Sequence, residues 1–314
     1  MKVAAVVIGR NEGARLIACL EALQGQVDPI VYVDSGSTDG SVAAARRAGA
    51  RVVALDMAQP FTAARARNAG VAALPDGVAL VQFLDGDCVP VAGWIGAATD
   101  FLETRADVAV VCGRRREVHP EASVYNALID AEWDTPPGRA LACGGDAMMR
   151  LAALREVGGY RDSLIAGEEP ELCVRLRQAG WTIWRLDAEM TGHDARITRF
   201  GQWWRRTMRA GHAFAEGAAL HGAPPERHWV AETRRALLWG AFLPLVLLLL
   251  LAVAGPWALA LALVYPAQVV RLTRRHGLVW AFYSVLGKFA EAQGALSFYL
   301  NRLRRRQAGI IEYK

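Results

Sequence analysis

Cysteine is scarce and badly spaced for structural use in this 314-residue chain. The five thiols, Cys19, Cys88, Cys112, Cys143 and Cys173, are odd in number and never fall as CxxC. A disulfide framework or zinc knuckle is thereby excluded, and free thiols in a reducing compartment are expected. Basic excess is missing from the first three quarters: residues 1–235 hold 27 Lys+Arg against 29 Asp+Glu. No nucleic-acid partner has an electrostatic footprint there. The N-terminus lacks a run long enough for a signal peptide. Its apolar stretch ends at Arg10 and Glu12 and is expected to be a buried first strand. No G-x-G-x-x-G follows that strand, so a dinucleotide fold would lack its phosphate fingerprint. Disorder is excluded by 53% hydrophobic residues and a net charge of only +5.

Charge is also absent from Ala236 to Val270, 35 residues in a row. A bilayer core takes about 20 apolar residues per helix, and soluble core helices seldom run so long uncharged. Broken at Gly255-Pro256, the block makes two helices of about 17 residues, each rising ~25 Å. Arg234 and Arg235 precede it; Arg271, Arg274 and Arg275 follow. Basic residues at both ends put both ends on the cytoplasmic side, as a transmembrane helical hairpin over 236–270 requires. A buried helical pair is the bland alternative. Over 277–300, Leu278, Phe282, Val285, Leu286 and Phe289 share one face, with Ser284, Lys288 and Glu291 opposite. That pattern predicts an amphipathic interfacial helix, a third span being the alternative. Arg302, Arg304, Arg305 and Arg306 form a basic tail suited to anionic headgroups.

What precedes the apolar block alternates. Val3–Ile8, Ile30–Val33, Arg51–Ala54, Ala79–Leu84 and Val108–Cys112 are strand-like, with helical segments near Glu12–Leu23, Ser41–Ala48, Ala63–Ala73 and Trp94–Leu102. Such alternation predicts an α/β fold, a doubly wound, mostly parallel sheet with helices on both faces. Ligands of such sheets sit beyond the carboxyl ends of the strands, which selects Asn11, Glu12, Asp34, Asp85 and Asp87. Residues 116–235 are mixed, with a turn at Thr135-Pro136-Pro137-Gly138 and a Gly144-Gly145 pair. A helix begins near Glu168, with Pro170 in its first turn and Gly180 as its stop. Another covers Phe200–Ala219. The expected division is 1–115, 116–235 and a membrane-anchoring 236–314.

Asp85-Gly86-Asp87 puts two carboxylates at a strand end, where a hard divalent cation such as Mg²⁺ or Mn²⁺ could be held; a solvated turn is the alternative. Asp34 opens Asp34-Ser35-Gly36-Ser37-Thr38-Asp39-Gly40, suited to bonding a base edge or ribose hydroxyl, or simply to turn and capping chemistry. Together with Val6-Val7-Ile8-Gly9-Arg10-Asn11-Glu12, Ala66-Arg67-Asn68-Ala69-Gly70, Gly144-Gly145-Asp146-Ala147-Met148, Val157-Gly158-Gly159-Tyr160 and Gly167-Glu168-Glu169-Pro170-Glu171-Leu172 with Arg175-Leu176, these segments resemble the family 2 glycosyltransferases of GT-A fold. The segments follow the family's order over roughly residues 1–200.

The resemblance implies roles residue by residue. Asn11, Glu12 and Asp34 would face the nucleoside, Arg67 the base or diphosphate, and Asp85 ribose and metal. Asp87 would hold the metal, with His193 of Gly192-His193-Asp194 completing its shell. The family's usual Asp base is Glu169 here, one methylene longer, with Glu168 as understudy. Gly145 and Asp146 would lie on the acceptor side, as would Trp203, Trp204 and Arg205 of a segment resembling Q-x-x-R-W, with packing at the membrane interface the alternative for the two tryptophans. Arg206 stands where Trp is expected, which weakens any processive reading. The implied activity is metal-assisted, inverting transfer from a nucleoside-diphosphate sugar, a UDP-sugar favoured. Its acceptor would be a lipid-linked or membrane-adjacent glycan at the lipid bilayer, on the cytoplasmic face of an inner membrane. The rival readings are a sugar nucleotidyltransferase and a catalytically inactive membrane assembly partner.

Overall fold

The computed structural model of the chain describes residues 1–306, 309, 311 and 312. It divides into two units, Met1–Thr198 and Arg199–Lys314. In the first, the elements are β1 (Val3–Gly9), α1 (Ala14–Leu23), β2 (Ile30–Asp34), α2 (Ser41–Arg47), β3 (Arg51–Ala54), α3 (Ala63–Ala72), β4 (Leu80–Asp85), β5 (Cys88–Pro90) and α4 (Trp94–Thr104). Next come β6 (Val108–Glu117), α5 (Val124–Glu132), β7 (Gly138–Ala140), β8 (Ala147–Arg150), α6 (Leu151–Glu156), α7 (Glu168–Gln178) and β9 (Thr182–His193).

The strands form one nine-stranded sheet in the order β3-β2-β1-β4-β8-β6-β9-β5, with β7 on β9. Its first half, β3-β2-β1-β4, is wholly parallel, as the strand–helix alternation predicts. Beyond β4 the sheet is mixed: β8 runs antiparallel to both β4 and β6, whereas β6 and β9 are parallel. Burial explains the placement. β1 is buried along almost its whole length, the mark of a central strand covered on both faces. β3 is exposed at both ends and serves as the edge. In α1, Leu16, Cys19, Leu20 and Leu23 recur at i, i+3, i+4 and i+7 and are the buried face.

The chain steps from β1 outward to β2 and β3, then returns to add β4 on the other side of β1. This reversal opens a crevice beyond the carboxyl ends of β1 and β4, where the polar ends Gly9, Asp34 and Asp85 converge. Two strands run further than their apolar patterns indicate. β6 continues five residues past Cys112 to Glu117, and β9 is carried beyond its apolar residues to end at His193.

The second unit is helical: α8 (Phe200–His221), α9 (Val230–Leu237), α10 (Leu243–Ala254), α11 (Val264–His276) and α12 (Leu278–Leu303). α8, which falls within 116–235 on sequence, clusters with this unit. The helical run Val230–His276 is long and apolar enough to cross a membrane, with mean hydropathy 2.7 over its most apolar 18 residues. It doubles back near Gly255-Pro256: Tyr265 donates its hydroxyl to the Trp239 carbonyl (2.8 Å), and the two rings lie 5.9 Å apart. An unbroken helix would separate these residues by ~39 Å. Leu245, Leu248, Leu249, Val253 and Trp257 are all exposed. α12 buries Ala281, Val285, Gly287, Ala290, Ala292, Gly294 and Ala295, a stripe of mostly small residues. Leu278 and Phe282, expected on a single apolar face with Val285, point outward instead. Gly294 sits where α8 comes closest, since a Cβ there would fall 1.9 Å from the Met208 carbonyl oxygen.

Candidate active site

Arg67, on α3, is the centre of the crevice chemistry. Its side chain is 3% exposed. One terminal nitrogen pairs with Asp85 Oδ1 (2.9 Å) at the end of β4. The other reaches Glu168 Oε1 (3.0 Å) and Glu169 Oε1 (2.7 Å) at the start of α7. One guanidinium therefore joins the strand carrying the paired acids to the helix carrying the candidate base. Burial works against its charge, but the carboxylates of Glu169 and Asp85 outweigh that and raise its pKa further above the usual arginine value. The Tyr160 ring, 5.6 Å from the guanidinium carbon, closes one side.

Gly145 explains why this cluster can form. A Cβ there would stand 2.6 Å from an Arg67 nitrogen and 3.1 Å from Asp85 Oδ2, so any side chain would part the pair. Asp146 follows, fully buried, and supports the site from beneath. It accepts from the Asp85 backbone N–H (3.2 Å) and the Thr191 hydroxyl (2.7 Å), and pairs with Arg115 (2.8 Å). Arg115, from the extension of β6, also lies 3.5 Å from Asp85 Oδ2. Burial would raise the Asp85 carboxyl, yet Arg67 and then Arg115 overcome it and hold the group below its ordinary value.

Glu169 goes the other way. Burial pushes its carboxyl up, Arg67 only partly offsets this, and the neighbouring charges of Glu168 and Asp85 add to the rise, leaving it at about 7. A group with that proton affinity is matched to general-base work near neutral pH.

Asp87 and His193 meet on the adjoining wall. His193 Nε2 is 3.2 Å from Asp87 Oδ2, and both residues are buried. Ligand atoms of Asp87, Cys88 and His193 lie within 4.8 Å of one another, as do those of Asp85, Cys88 and Asp146. The first group suits a divalent cation better, because each Asp85 oxygen already faces a guanidinium. An imidazole nitrogen beside a carboxylate is donor chemistry that Mn²⁺ accepts.

Asp34 is 5% exposed, and its oxygens serve its own turn: Oδ1 accepts from the Tyr32 hydroxyl (3.1 Å), Oδ2 from the N–H groups of Gly36 (3.1 Å) and Ser37 (3.0 Å). Asn11 takes a left-handed backbone (φ 58°), and its Oδ1 accepts from Thr38 N–H (2.7 Å), tying the loop after β1 to the loop after β2. Glu12 pairs with Arg15 (2.6 Å). Trp203, Trp204 and Arg205 lie on α8 in the second unit. There Trp203 is buried against Tyr283 (rings 5.1 Å apart), Trp204 donates to Gln293 (2.9 Å), and Arg205 is exposed.

Sequence reasoning missed Arg115, Glu117, Cys88 and Thr191. The one available signal was alternation: continued through Arg114-Arg115-Arg116, the strand period sends Arg115 to the face opposite its neighbours. Arg114 and Arg116 indeed pair elsewhere, with Asp130.

A parallel sheet half joined to a mixed half, with paired acids past its central strand, is the α/β architecture of the GT-A fold. The chain carries a family 2 glycosyltransferase domain: residues 5–157 match the family model described as Glycosyl transferase family 2. The succinoglycan biosynthesis protein ExoA of Rhizobium meliloti is 28% identical over 267 residues, covering 80% of each chain. Among solved structures, the mannosyltransferase PcManGT from Pyrobaculum calidifontis, in complex with GDP-Man and Mn²⁺, superposes with a TM-score of 0.65 at 20% identity, over 94% of this chain and 87% of its own. Glucosyl-3-phosphoglycerate synthase from Mycobacterium tuberculosis, in complex with Mn²⁺ and UDP-glucose, gives 0.53 at 19% identity, over 71% and 80%. At those identities the likeness to solved structures is one of fold.

Proposed function

We propose that the chain is an inverting glycosyltransferase that moves a sugar from a nucleoside-diphosphate sugar, a UDP-sugar in the first instance, to a membrane-associated, lipid-linked acceptor. The observation that carries this reading is the Arg67 network, which holds Asp85 and the two glutamates of α7 at one crevice and leaves Glu169 at about 7. Nucleotide sugars with Mn²⁺ in the two solved structures of the same fold support the donor class, and the likeness to a succinoglycan biosynthesis protein supports a glycan-building context. The apolar hairpin supports an acceptor at the bilayer, with the first unit on the cytoplasmic side of an inner membrane.

In this mechanism Glu169 accepts the proton of the acceptor hydroxyl as its oxygen bonds to the anomeric carbon. The bond from that carbon to the donor phosphate breaks on the opposite face, which inverts the configuration. Arg67 keeps Glu169 oriented and presents positive charge where the diphosphate departs. Glu168 shares Arg67 and, as a second negative charge, helps keep the proton affinity of Glu169 high. Asp87 and His193 would hold a divalent cation, which supplies further neutralisation of the leaving diphosphate. Asp34, Asn11 and Glu12 edge the crevice on the nucleoside side, and Gly145 keeps the floor open.

Purified protein incubated with Mn²⁺ or Mg²⁺ and a panel of nucleotide sugars tests the proposal. Metal-dependent release of nucleoside diphosphate is expected, and Asp87→Ala should remove the metal dependence of nucleotide binding. Release of pyrophosphate would instead support nucleotidyl transfer. No turnover of any donor, with membrane acceptors present, would point to an inactive partner.

A further inference from the structure

Glu117 is a buried acid that the reaction as described does not use. It ends β6, its side chain is fully buried, and it lies beside His193 in the register of β6 on β9. The next strand, β5, sets Cys88 on the other side of His193, so three adjacent strand ends place Asp87-Cys88, His193 and Glu117 in a row. Glu117 Oε1 accepts from His119 N–H (3.1 Å) and the Asn126 amide (3.4 Å), and Oε2 accepts from Ala195 N–H (2.9 Å). Every group facing the carboxylate is thus a donor. The remaining neighbour of Oε2 is His193 Nδ1, at 4.0 Å. That ring nitrogen is buried and has no hydrogen-bond partner among the described residues, while Nε2 faces Asp87.

We propose that Glu117 is a positioning residue for the metal-binding histidine: its carboxylate keeps the His193 proton on Nδ1 and leaves the Nε2 lone pair directed at the cation position beside Asp87. The inference rests on the reading of Asp87 and His193 as metal-holding residues. A ligating imidazole whose far N–H is held by a carboxylate is fixed in tautomer and ring orientation, and losing such a partner typically weakens metal affinity by about 10–100-fold. A buried carboxylate with only donors around it would otherwise be adequate as a loop tie. What separates the two roles is the orphaned nitrogen facing it.

Glu117→Gln discriminates them. The amide oxygen stays with the two donors at Oε1, so the amide nitrogen replaces Oε2: it gives up the bond from Ala195 N–H and turns toward His193 Nδ1. There it donates, so the ring proton moves to Nε2, the metal-facing atom. Two measurements on the full-length protein in detergent follow. In metal-free protein labelled with ¹⁵N-histidine, the resonances assigned to His193 by their loss in His193→Gln should report an Nδ1–H ring in the wild type and an Nε2–H ring in Glu117→Gln. In Mn²⁺ titrations followed by electron paramagnetic resonance without any nucleotide, Glu117→Gln should bind about 10–100-fold more weakly than wild type. Glu117→Asp, which keeps the charge, should recover part of that affinity. An unchanged tautomer together with wild-type Mn²⁺ affinity in a folded Glu117→Gln protein overturns the proposal. Wild-type protein that shows the Nδ1–H ring but binds no Mn²⁺ would overturn the metal reading itself, while the tautomer measurement still answers for Glu117.

Discussion

The two units of this chain bury opposite kinds of side chain. In Met1–Thr198 the large apolar residues are inside, with Tyr32, Phe83, Trp94 and the leucines of α1 and β4 fully enclosed. Among its buried charges, Arg67 and Arg115 answer the carboxylates at the crevice, and Glu171 of α7 is held by Arg175. In Arg199–Lys314 the inside of α12 is alanine and glycine with the single valine Val285, while leucines such as Leu248 and Leu249, with Val253 and Trp257, face outward. Its buried histidine, His212, is held as a neutral ring: burial pushes its pKa down to about 4, and it packs on Phe298. Water rewards hiding large apolar surface, whereas hydrocarbon surroundings remove that reward and leave close backbone packing as the source of cohesion. The contrast teaches that the first unit coheres by enclosing large apolar side chains and the second by close approach of small ones, with the buried carboxylates and guanidiniums gathered in the first.

The sharpest way to break this contrast in the first unit is Glu169→Gln, which removes the candidate base and keeps the volume. Turnover should fall by about 10²–10⁴-fold with donor binding retained, checked by product formation beside nucleotide calorimetry. In the wild type, kcat/KM should climb with pH and level off above about 7, because the base works only when deprotonated. The same raised pKa makes the folded state hold its proton more tightly than the unfolded chain does. The stability it contributes is complete below about 4.5 and is lost as pH rises through about 7. Glu169→Gln should therefore melt higher than wild type above pH 7, with the gap closing in acid. Full activity in this variant would place the base elsewhere.

For the second unit, Leu248→Arg puts a charge on the exposed apolar arm. The cost of membrane insertion should be about 2.5–3.5 kcal/mol, read as loss of protein from carbonate-washed membranes. Retention at wild-type levels would mean that this face does not meet lipid. A smaller effect, about 1–3 kcal/mol, is expected from Gly294→Leu, which forces α12 away from α8. Chemical denaturation should register that loss with Mn²⁺ binding in the first unit unchanged; weakened Mn²⁺ binding would show that the two units are energetically joined.

Much of the first unit was legible because its strands are short apolar runs closed by polar residues. Asp34 and Asp85 could be placed at strand ends from pattern alone, and Glu168 and Glu169 at a helix start. Arg115, Glu117 and His193 could not, since they lie on stretches of β6 and β9 that leave the apolar core and line the crevice. There the hydrophobic signal stops although the hydrogen-bonded strand continues. In the second unit the hairpin was legible from its missing charge, but the packed face of α12 was not. A search for large apolar residues looks past the alanines and glycines that make that contact.

Local chemistry alone determined the parallel sheet half, the acids at its carboxyl edge and the uncharged hairpin, because each depends on the order of residues within one segment. Tertiary structure decided that Arg67 joins β4 to α7, that Asp146 supports Asp85 rather than reaching outward, and that Glu117 stands behind His193. Those contacts link residues from 18 to 101 positions apart. Their electrostatics, including the carboxyl held at about 7, arise only when burial and the neighbouring charges act together in the folded crevice.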